Sequence, residues 1–446
     1  MTPTGPPSPR SHDRSLPLAG PDRRARPLSP ADPAGPDVLG GKGHGLVTMM
    51  RLGMPVPPGF VIPPAACRAY LRDGTLPEDL EAAARDLRVP LVSVRSGAEV
   101  SMPGMMDTFL DVDPCSPRLR AAVEEVFASW LAPRAVTYRE LHGIPHDLGT
   151  AVVVQAMVSG EHDEHSGSGV AFSRDPSSGV KRPYGDLLFE RPGSDVVSGS
   201  VATRPLAGLE EREPGVWAAL LDGLDRVERH YRDVCHVEFT FESGRLWFLQ
   251  VRPGGLAGRA AVRVAVDLAD EGLIDRATAV RRLSARQLRA ARTARIRLTD
   301  DLDVIARGTG AGPGVATGRI ALTADRAARM ASDGPVILVR PHTSPLDMHG
   351  LAAAAGIVTT VGGPTSHAAV VARAMGKPAI VGAGALSVDP AAGLLRTAGR
   401  VLPEGTPVTI DGTGGEVVAG AADTTTDESD PYLERLLGWS ANNPGD

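Results

Sequence analysis

The chain has 446 residues, 42% of them hydrophobic, which is typical of a globular protein with about three domains. Its net charge of −6 is spread without long charged blocks, which argues against nucleic acid or an anionic membrane as the main partner. No apolar run approaches the roughly 18 residues of a membrane span, and the N-terminus lacks a secretory signal, so we expect a cytoplasmic protein. Three cysteines are too few for a disulfide framework or a paired metal motif.

The predicted organisation, in chain order, is two α/β blocks joined by helices and flanked by flexible tails. Residues 1–37 are rich in Pro, Ser and Arg and predict a flexible tail. Residues 38–255 combine helical stretches with the strand-like runs PLVSVRS, TAVVVQAMV and RLWFLQVR, which favours an α/β or α+β domain. Residues 256–305 have helical spacing and predict a connecting segment. Residues 306–420 alternate short strands and helices as a second α/β domain, and 421–446 form a second tail with a short helical pattern at YLERLLGW.

In the first block, Lys42 stands in the glycine-rich run VLGGKGHGL, which predicts a turn before a helix where an ammonium group and backbone amides hold phosphates. Only three of the 47 basic residues are lysines, so a lysine in this chain indicates a place that needs a compact ammonium. Arg95 leaves a predicted strand into a loop that contains Gly97 and Gly104. For each of these charges alone, a solvated surface position is the alternative.

Two polar residues of the same block predict a metal site. Glu238 and Gln250 lie twelve positions apart on two predicted strands joined by a Glu-Ser-Gly turn. Their oxygens are placed to converge on a magnesium ion held by nucleotide phosphates. Arg252 is expected on the same strand face as Gln250, where it would add a phosphate contact.

The second α/β block contains GGPTSHAAVVARAMGKPAIVG, which sets His367 at the start of a short helix. Thr365 or Ser366 is a suitable N-cap, and Gly376 is a suitable C-terminal stop. Free backbone N–H groups and the helix dipole stabilise an anion at such a position, so an imidazole there is suited to carry a phosphate. An ordinary capped or core histidine is the alternative interpretation.

These stretches together resemble the pyruvate, phosphate dikinases, members of the phosphoenolpyruvate-utilising enzymes. The similarity covers residues 38 to about 420 and includes LVSVRSGAEVSMPGMMDTFLD, VVVQAMVSGEHDEHSGSGVAFSRDPSSG and GPGVATGRIALTADRA. It implies an α/β (α+β) multidomain fold, with an ATP-grasp-like nucleotide-binding domain at 38–255, a helical linker at 256–305 and a swivelling phosphohistidine domain at 306–420. The SGSG run at 166–169 is expected to be flexible.

The resemblance also implies a function, an ATP-dependent phosphotransferase that forms phosphohistidine at His367 from the ATP β-phosphate and releases AMP. Inorganic phosphate or water would take the γ-phosphate, and Mg²⁺ would be held by Glu238 and Gln250. The family's barrel for pyruvate and phosphoenolpyruvate is absent from this sequence, so we expect the acceptor on a separate protein. The implied nucleotide-binding residues are Lys42, Arg95, Gly97, Gly104, Gly167, Gly169, Glu238, Gln250 and Arg252.

Several positions depart from the family pattern. His236 stands where the family has an acid, and Ser194, Leu346 and Pro364 are further replacements. Thr365 matches a threonine that is phosphorylated in some plant dikinases, although a helix cap is the simpler interpretation. These departures keep a second hypothesis open, a non-catalytic nucleotide-binding regulatory paralogue.

Overall fold

The computed structural model describes residues 24–441, apart from residues 103, 199–200, 202, 257, 293, 298, 300–301, 364–365, 398 and 427–429. These residues have the mixed α/β multidomain architecture predicted from the sequence. Within this described part, no helix is both long and apolar enough to cross a membrane.

The N-terminal part, which we call the two-sheet domain, comprises residues 24–253 and contains two five-stranded antiparallel sheets. Its strands are β1 (Arg26–Pro27), β2 (Gly59–Ile62), β3 (Val92–Ser96), β4 (Thr108–Val112), β5 (Val152–Ala156), β6 (Gly167–Phe172), β7 (Tyr184–Phe189), β8 (Arg204–Pro205), β9 (Cys235–Glu242) and β10 (Arg245–Pro253). The first sheet has the order β1-β2-β5-β3-β4 and the second β10-β9-β6-β7-β8. The three predicted strand runs of this block are β3, β5 and β10.

Helices cover both sheets of this domain. They are α1 (Pro36–Arg51), α2 (Pro64–Asp73), α3 (Leu80–Asp86), α4 (Pro117–Ala128), α5 (Pro133–His142), α6 (Gly193–Ser198), α7 (Gly208–Arg212) and α8 (Pro214–Tyr231). Helix α1 lies between the sheets, because Gly43 packs against Val61 of β2 and Gly45 against Val251 of β10. A side chain at Gly43 would place its Cβ 2.7 Å from Val61, so glycine permits the close packing that fixes α1.

The predicted tail at 1–37 is too long. Residues 1–23 lie outside the described part, but Arg26 and Pro27 pair with β2 as strand β1. Arg26 also forms an ion pair with Asp32 at 2.9 Å, and the backbone N–H of Ala25 donates to Asp79. These contacts order residues 25–32, although the segment has too few apolar residues for its sequence to predict an ordered structure.

Three helices follow the two-sheet domain, namely α9 (Gly258–Asp270), α10 (Arg276–Arg281) and α11 (Ala285–Ala291). The helical pattern predicted here is broken by caps. Asp275 accepts from the N–H of Thr278, and Ser284 forms a capping box with Gln287. Each cap starts a new helix, which turns one long pattern into short packed segments.

The second α/β domain, which we call the histidine domain, follows these helices. Its elements, with the strands at its ends, are β11 (Ala294–Ile296), β12 (Val304–Arg307), β13 (Thr309–Gly312), β14 (Val315–Ala321), α12 (Ala324–Met330), β15 (Val336–Arg340), α13 (Met348–Ala353), β16 (Gly356–Thr359), α14 (His367–Met375), β17 (Ala379–Val381), β18 (Ser387–Asp389), β19 (Leu394–Thr397), β20 (Arg400–Pro403), β21 (Pro407–Asp411), β22 (Glu416–Ala419) and β23 (Thr424–Thr426). The main sheet has the order β12-β22-β21-β14-β15-β16-β17-β13, in which β14 to β17 are parallel. A small sheet, β18-β19-β20, lies beside it, and the predicted alternation of short strands and helices is present.

The chain then returns to the helices. Strand β23 pairs with β11, and α15 (Pro431–Ala441) packs its Leu433 and Leu436 against α9. Residues 256–305 are therefore more than a linker, because α9 to α11 form a packed helical unit with α15. The helical pattern predicted at YLERLLGW is present as α15, whereas the flexibility predicted for this tail is wrong, since the apolar face of the helix is covered by α9.

The helical unit is fastened to the two-sheet domain by a buried arginine. Arg174, at the end of β6, donates to Glu228 of α8 at 2.7 Å and to Glu271, directly after α9, at 2.9 Å. Its side chain is fully buried. Breaking such a pair would leave an uncompensated buried charge, so the contact joins the two parts firmly.

Candidate active site

His367 lies at the carboxyl edge of the parallel strands in the histidine domain. It is the first residue of α14, which connects β16 to β17, and the loop after β15 brings Thr343 beside it. The carboxyl ends of parallel strands are the usual position for a ligand-binding site in such sheets. The predicted placement of His367 in the first helical turn is confirmed.

The two ring nitrogens of His367 have different surroundings. Nδ1 lies 3.2 Å from the Thr343 hydroxyl, whereas Nε2 is buried and has no hydrogen-bond partner among the described residues. Burial lowers the pKa of His367 to about 4, although the nearby Asp347 carboxylate acts in the opposite direction. The imidazole is therefore neutral at physiological pH, with the Nε2 atom free to react.

The ends of α14 differ partly from the prediction. Gly376 ends the helix at φ 62°, as expected for a glycine C-cap. Ser366 occupies the N-cap position, but its hydroxyl makes no capping bond and is buried without a partner in the described structure. Thr365, the other proposed cap and the candidate phosphorylation site, lies outside the described residues, as does Pro364.

The histidine faces the two-sheet domain. Gly104 has φ 71°, and a Cβ atom at this position would lie 3.3 Å from Cδ2 of His367 and 3.0 Å from Pro345. Next to it, Met105 and Met106 join one apolar cluster with residues of α14 such as Ala368 and Val371. Gly104 therefore leaves room for the imidazole at the contact between the domains.

Two further contacts bring the domains together along the second sheet. Gly363, in the loop before His367, approaches Asp186 of β7 so closely that a Cβ atom would lie 2.5 Å from the carboxylate oxygens. Arg373 of α14 is buried with its guanidinium 5.7 Å from the centre of the Phe172 ring. Burial lowers the pKa of Arg373 to about 10, although Tyr184, Asp186 and Asp175 favour its charged form. The loop that carries His367 thus lies directly against strands β6 and β7.

Lys42 is positioned by a kink in α1. The helix begins at Pro36, earlier than the predicted turn, and Gly40 interrupts it with φ 65° and ψ 163°. A Cβ atom at Gly40 would lie 1.7 Å from the carbonyl oxygen of Gly97, so both the backbone angles and the space require glycine. Gly97 itself packs against Lys42, because a Cβ added there would lie 3.1 Å from the lysine Cβ. The kink places Lys42 beside the end of β3.

Arg95 links the two sheets. It lies in β3, and its Nη2 donates to the side chain of Gln155 at 2.8 Å and to the carbonyl of Leu249 in β10 at 2.9 Å. Its Nη1 lies 3.9 Å from Glu238, and its buried Nε has no partner among the described residues. The guanidinium is thus held in place through Nη2, while its Nε–H makes no hydrogen bond with the described residues.

Glu238, Gln250 and Arg252 lie together on the predicted hairpin. Gln250 of β10 pairs in register with Glu238 of β9. With the Gln250 amide oriented so that its oxygen faces Arg252, this oxygen accepts from Nη2 at 2.7 Å, and the same guanidinium lies 3.4 Å from Glu238. The three side chains thus lie together on the hairpin, whereas their binding of a metal and phosphate stays a prediction.

The charges of this cluster are coupled. Burial favours the neutral form of Glu238, but Arg252, Lys42 and Arg95 outweigh it and lower the pKa of the carboxyl. Burial and the neighbouring Arg95 lower the pKa of Lys42 well below its usual value, with Glu238 opposing them. Three cations therefore surround one carboxylate, which leaves an excess of positive charge suited to polyphosphate.

The same residues offer oxygens for a divalent cation. An ionised carboxylate and an amide oxygen fit Mg²⁺, which takes one or two protein ligands and completes its shell with phosphates and water. The described residues contain no group of three or more His, Cys, Asp or Glu side chains placed to hold a metal by themselves. A metal at Glu238 and Gln250 would therefore need the phosphates of a nucleotide.

Gly167 and Gly169 do not form a flexible run. Both lie in β6 and are buried, and a Cβ atom would lie 2.6 Å from the Phe241 ring at Gly167 and 2.4 Å from the Phe239 ring at Gly169. The expected flexibility is wrong because these glycines make room for core rings in a central strand. A nucleotide contact from them stays a prediction.

Of the departures from the family pattern, His236 lies inside the site and Ser194 lies in α6. The His236 ring is tilted against Phe172, with the ring centres 4.6 Å apart. Burial, reinforced by Arg252, lowers its pKa to about 3, so this imidazole is neutral as well. Leu346 is 74% exposed near the histidine loop.

The sequence analysis missed three residues that shape the site. Thr343 contacts His367, Gln155 holds Arg95, and Asp186 faces Gly363. Thr343 follows β15 in the run RPHTSPLD. Its position after a buried strand is the feature of the sequence that could have identified it as a site residue. Gln155 and Asp186 sit inside strands, where nothing in the local pattern indicates a function.

Comparison with known proteins assigns both domains. Residues 332–415 match the mobile domain of PEP-utilising enzymes, and residues 78–205 match the AMP/ATP-binding domain of pyruvate phosphate dikinase. The histidine domain and the two-sheet domain are thus those of a PEP-utilising enzyme. More specifically, the chain belongs to the pyruvate, phosphate dikinase family.

Curated relatives agree over most of the chain. Pyruvate, phosphate dikinase from Rhizobium meliloti (strain 1021) is 37% identical and that from Clostridium symbiosum 35% identical, each over 91% of this chain. The chloroplastic pyruvate, phosphate dikinase 1 of Arabidopsis thaliana is 33% identical over 90%. The chain spans 58%, 59% and 53% of the lengths of these three proteins.

Solved structures match more weakly. D-alanyl-alanine synthetase A from Vibrio cholerae has a TM-score of 0.29 at 11% identity, covering 48% of this chain and 55% of its own. D-Alanine-D-alanine ligase from Helicobacter pylori has a TM-score of 0.26 at 14% identity, covering 53% and 60%. Such scores are too low to define the fold, so the family assignment rests on the sequence matches.

Proposed function

We propose that this protein is an ATP-dependent phosphotransferase that forms a phosphohistidine on Nε2 of His367 and releases AMP. The observation that carries the proposal is the neutral, buried imidazole whose Nε2 has no partner in the described structure and which faces Gly104 of the two-sheet domain. A nucleophile must keep its lone pair free and lie close to the phosphate that it attacks.

In the proposed step, the Nε2 lone pair attacks the β-phosphorus of ATP. The bond between this phosphorus and the oxygen bridging to the α-phosphate breaks, and AMP leaves with that oxygen and its electron pair. In the tautomer with the proton on Nδ1, which lies 3.2 Å from the Thr343 hydroxyl, no proton has to be removed. The γ-phosphoryl group then passes to inorganic phosphate, giving pyrophosphate, or to water, and phosphohistidine remains.

The cation cluster has a defined role in this reaction. Lys42, Arg95 and Arg252 would neutralise the polyphosphate and align it, since phosphoryl transfer depends mainly on positioning and charge stabilisation. Mg²⁺, when bound through Glu238 and Gln250, would supply further neutralisation of the phosphate oxygens. ATP is therefore the proposed substrate, and the three basic side chains around Glu238 support this choice.

We further propose that the phosphoryl group is passed to pyruvate or another acceptor bound outside this chain. In the part of the chain that the structure describes, every element belongs to the two-sheet domain, the helical unit, the histidine domain or the strands that join them. None of these described parts is an α/β barrel. Adding pyruvate alone should therefore give no phosphoenolpyruvate, whereas adding a protein that carries the acceptor site should start turnover.

Labelling with ATP that carries ³²P in the β-phosphate tests the proposal. We expect up to one equivalent of acid-labile, base-stable label per chain, located on Nε2 of His367, and none in His367→Ala. His349→Ala is the matched control, since His349 is an exposed histidine of the same domain and pairs with Asp325. Label on another residue would contradict the assignment. Nucleotide binding without any label would favour the regulatory alternative, which the departure at His236 suggests.

A further inference from the structure

His236 is placed to face the same ligand as Glu238. The two residues lie two positions apart in β9, and alternate residues of a strand project from the same face of the sheet. Glu238 lies 3.4 Å from the Arg252 guanidinium. Arg252 lies directly opposite His236 in the neighbouring strand β10.

The surroundings of His236 leave one ring nitrogen without a partner. The ring leans against Phe172, and the buried Nε2 makes no hydrogen bond with any described residue. The Phe172 side chain has no polar atom, and the Arg252 guanidinium donates its hydrogen bonds to Gln250 and Glu238. A buried polar atom without a partner is uncommon in native proteins and points to a ligand that is not part of the chain.

We propose that Nε2 of His236 is a direct ligand of the nucleotide-bound metal, together with Glu238 and Gln250, and that this site prefers Mn²⁺ to Mg²⁺. The proposal rests on the nucleotide site of the proposed function and adds a nitrogen to its oxygen donors. Imidazole is a good ligand for first-row transition ions, whereas Mg²⁺ selects oxygen ligands and binds nitrogen poorly. Adding a ring nitrogen to these oxygen donors therefore changes which ion is held best.

The hyperfine coupling between bound Mn²⁺ and a nitrogen nucleus detects a coordinating nitrogen directly. The full chain is loaded with Mn²⁺ and α,β-methylene-ATP, an analogue whose bridge contains no nitrogen and from which AMP cannot leave. Pulsed electron paramagnetic resonance should then show the ¹⁴N coupling of a metal-bound imidazole. Labelling the protein with ¹⁵N-histidine should convert that signal to the ¹⁵N pattern. The coupling should be absent in His236→Ala and present in His162→Ala, a control that removes an exposed histidine.

Affinity gives a second readout. The ratio of the Mn²⁺ and Mg²⁺ affinities, measured by titration with the same analogue, should fall about tenfold in His236→Asp, the range typical for changing a ligand environment. His162→Ala should leave the ratio unchanged. The wild-type spectrum and its ¹⁵N-histidine counterpart show whether a histidine coordinates the metal, and the variants assign that histidine.

The outcomes separate this inference from the function on which it rests. Bound Mn²⁺ that depends on the nucleotide but shows no ¹⁴N coupling would overturn the role of His236 and leave the nucleotide site intact. Coupling that persists in His236→Ala would also overturn it, by assigning the nitrogen to another residue. Failure of the wild-type protein to bind Mn²⁺ and nucleotide together would overturn both proposals.

Discussion

Thr343 lies beside the His367 nitrogen that carries the proton in the proposed reaction. A neutral imidazole carries one proton, and a hydroxyl 3.2 Å from Nδ1 can accept the hydrogen bond from an Nδ1–H. With the proton on Nδ1, as the proposed reaction requires, Nε2 keeps its lone pair. We therefore expect Thr343 to act by favouring this tautomer.

Removal of this hydroxyl should slow phosphorylation of His367. We expect Thr343→Val to lower the single-turnover rate about 10- to 100-fold, which corresponds to about 1–3 kcal/mol for an unmade buried hydrogen bond. Thr343→Ser keeps the hydroxyl and should stay close to the wild-type rate. ¹⁵N chemical shifts of the ring should show the tautomer changing only in the valine variant. Equal rates in all three proteins would show that Thr343 has no positioning role.

The low pKa of His367 predicts a pH-dependent stability. An unfolded histidine takes up its proton near pH 6.5, whereas the folded one, buried beside Asp347, does so only near pH 4. Between these values the unfolded state binds more protons, so the free energy of unfolding should fall as the pH is lowered from 6.5 to 4. Denaturant unfolding of His367→Asn should show a shallower pH dependence, by at most about 1.4 kcal/mol per pH unit. Parallel curves would show that the folded imidazole is protonated normally.

Lysine is rare in this chain, but its rarity does not single out Lys42. Lys181 forms an exposed pair with Glu271, and Lys377 donates to the carbonyls of Ala352 and Ala354 at the end of α13. Only Lys42 lies beside a buried carboxylate and two arginines. The scarcity was therefore a weak signal, and the neighbours of each lysine decide its role.

Replacement of Lys42 should weaken nucleotide binding specifically. We expect Lys42→Ala to weaken binding of Mg-ATP, or slow phosphohistidine formation, by about 2–4 kcal/mol, since a charge-assisted contact in a closed site is lost. Lys181→Ala is the control and should bind normally, because Lys181 lies on the surface. Calorimetry with the methylene analogue measures both. Wild-type affinity in Lys42→Ala would exclude the lysine from the pocket.

The kink in helix α1 depends on a glycine. Gly40→Ala would combine a backbone conformation that is nearly restricted to glycine with a clash against Gly97, so we expect a loss of about 3 kcal/mol or more in stability. Nucleotide binding should also fall, because Lys42 follows the kink. Gly74→Ala is a suitable control, since Gly74 also has a positive φ but no atom within 4 Å of an added Cβ. It should cost only about 1–2 kcal/mol, the strain of the left-handed conformation. Equal losses in chemical denaturation would show that the contact with Gly97 contributes nothing.

An element could be predicted from the sequence when the residues that determine it are neighbours in the chain. The β9–β10 hairpin was predictable because strand alternation and a tight turn are both visible in the letters, and Glu238 and Gln250 pair across it. The glycines of β6 were misinterpreted because Gly167 and Gly169 pack against rings from β9, a contact between distant residues. Long-range packing of this kind decides the conformation and leaves no local pattern.

The same distinction applies to the arrangement of the domains. The sequence indicated the two α/β blocks, His367 and a short helix at YLERLLGW, but it placed β1 and this helix in flexible tails. Each of these elements is stabilised by a distant partner, β2 for the first and α9 for the second. The position of His367 against Gly104 likewise depends on a contact across more than 250 residues, which no local pattern encodes.

The pairing of β11 with β23 has a topological consequence. The chain enters and leaves the histidine domain through two adjacent strands, so this domain is an insertion within the helical unit, with its ends side by side. Such insertions can often be excised as autonomous fragments or joined end to end in a circular permutant. Asp411 sets the boundary of the fragment, because this buried carboxylate accepts from Arg295 and from the N–H of Ile296 in β11. A fragment of residues 294–426 should therefore unfold cooperatively on heating, whereas one of residues 304–419 should have a markedly lower melting temperature.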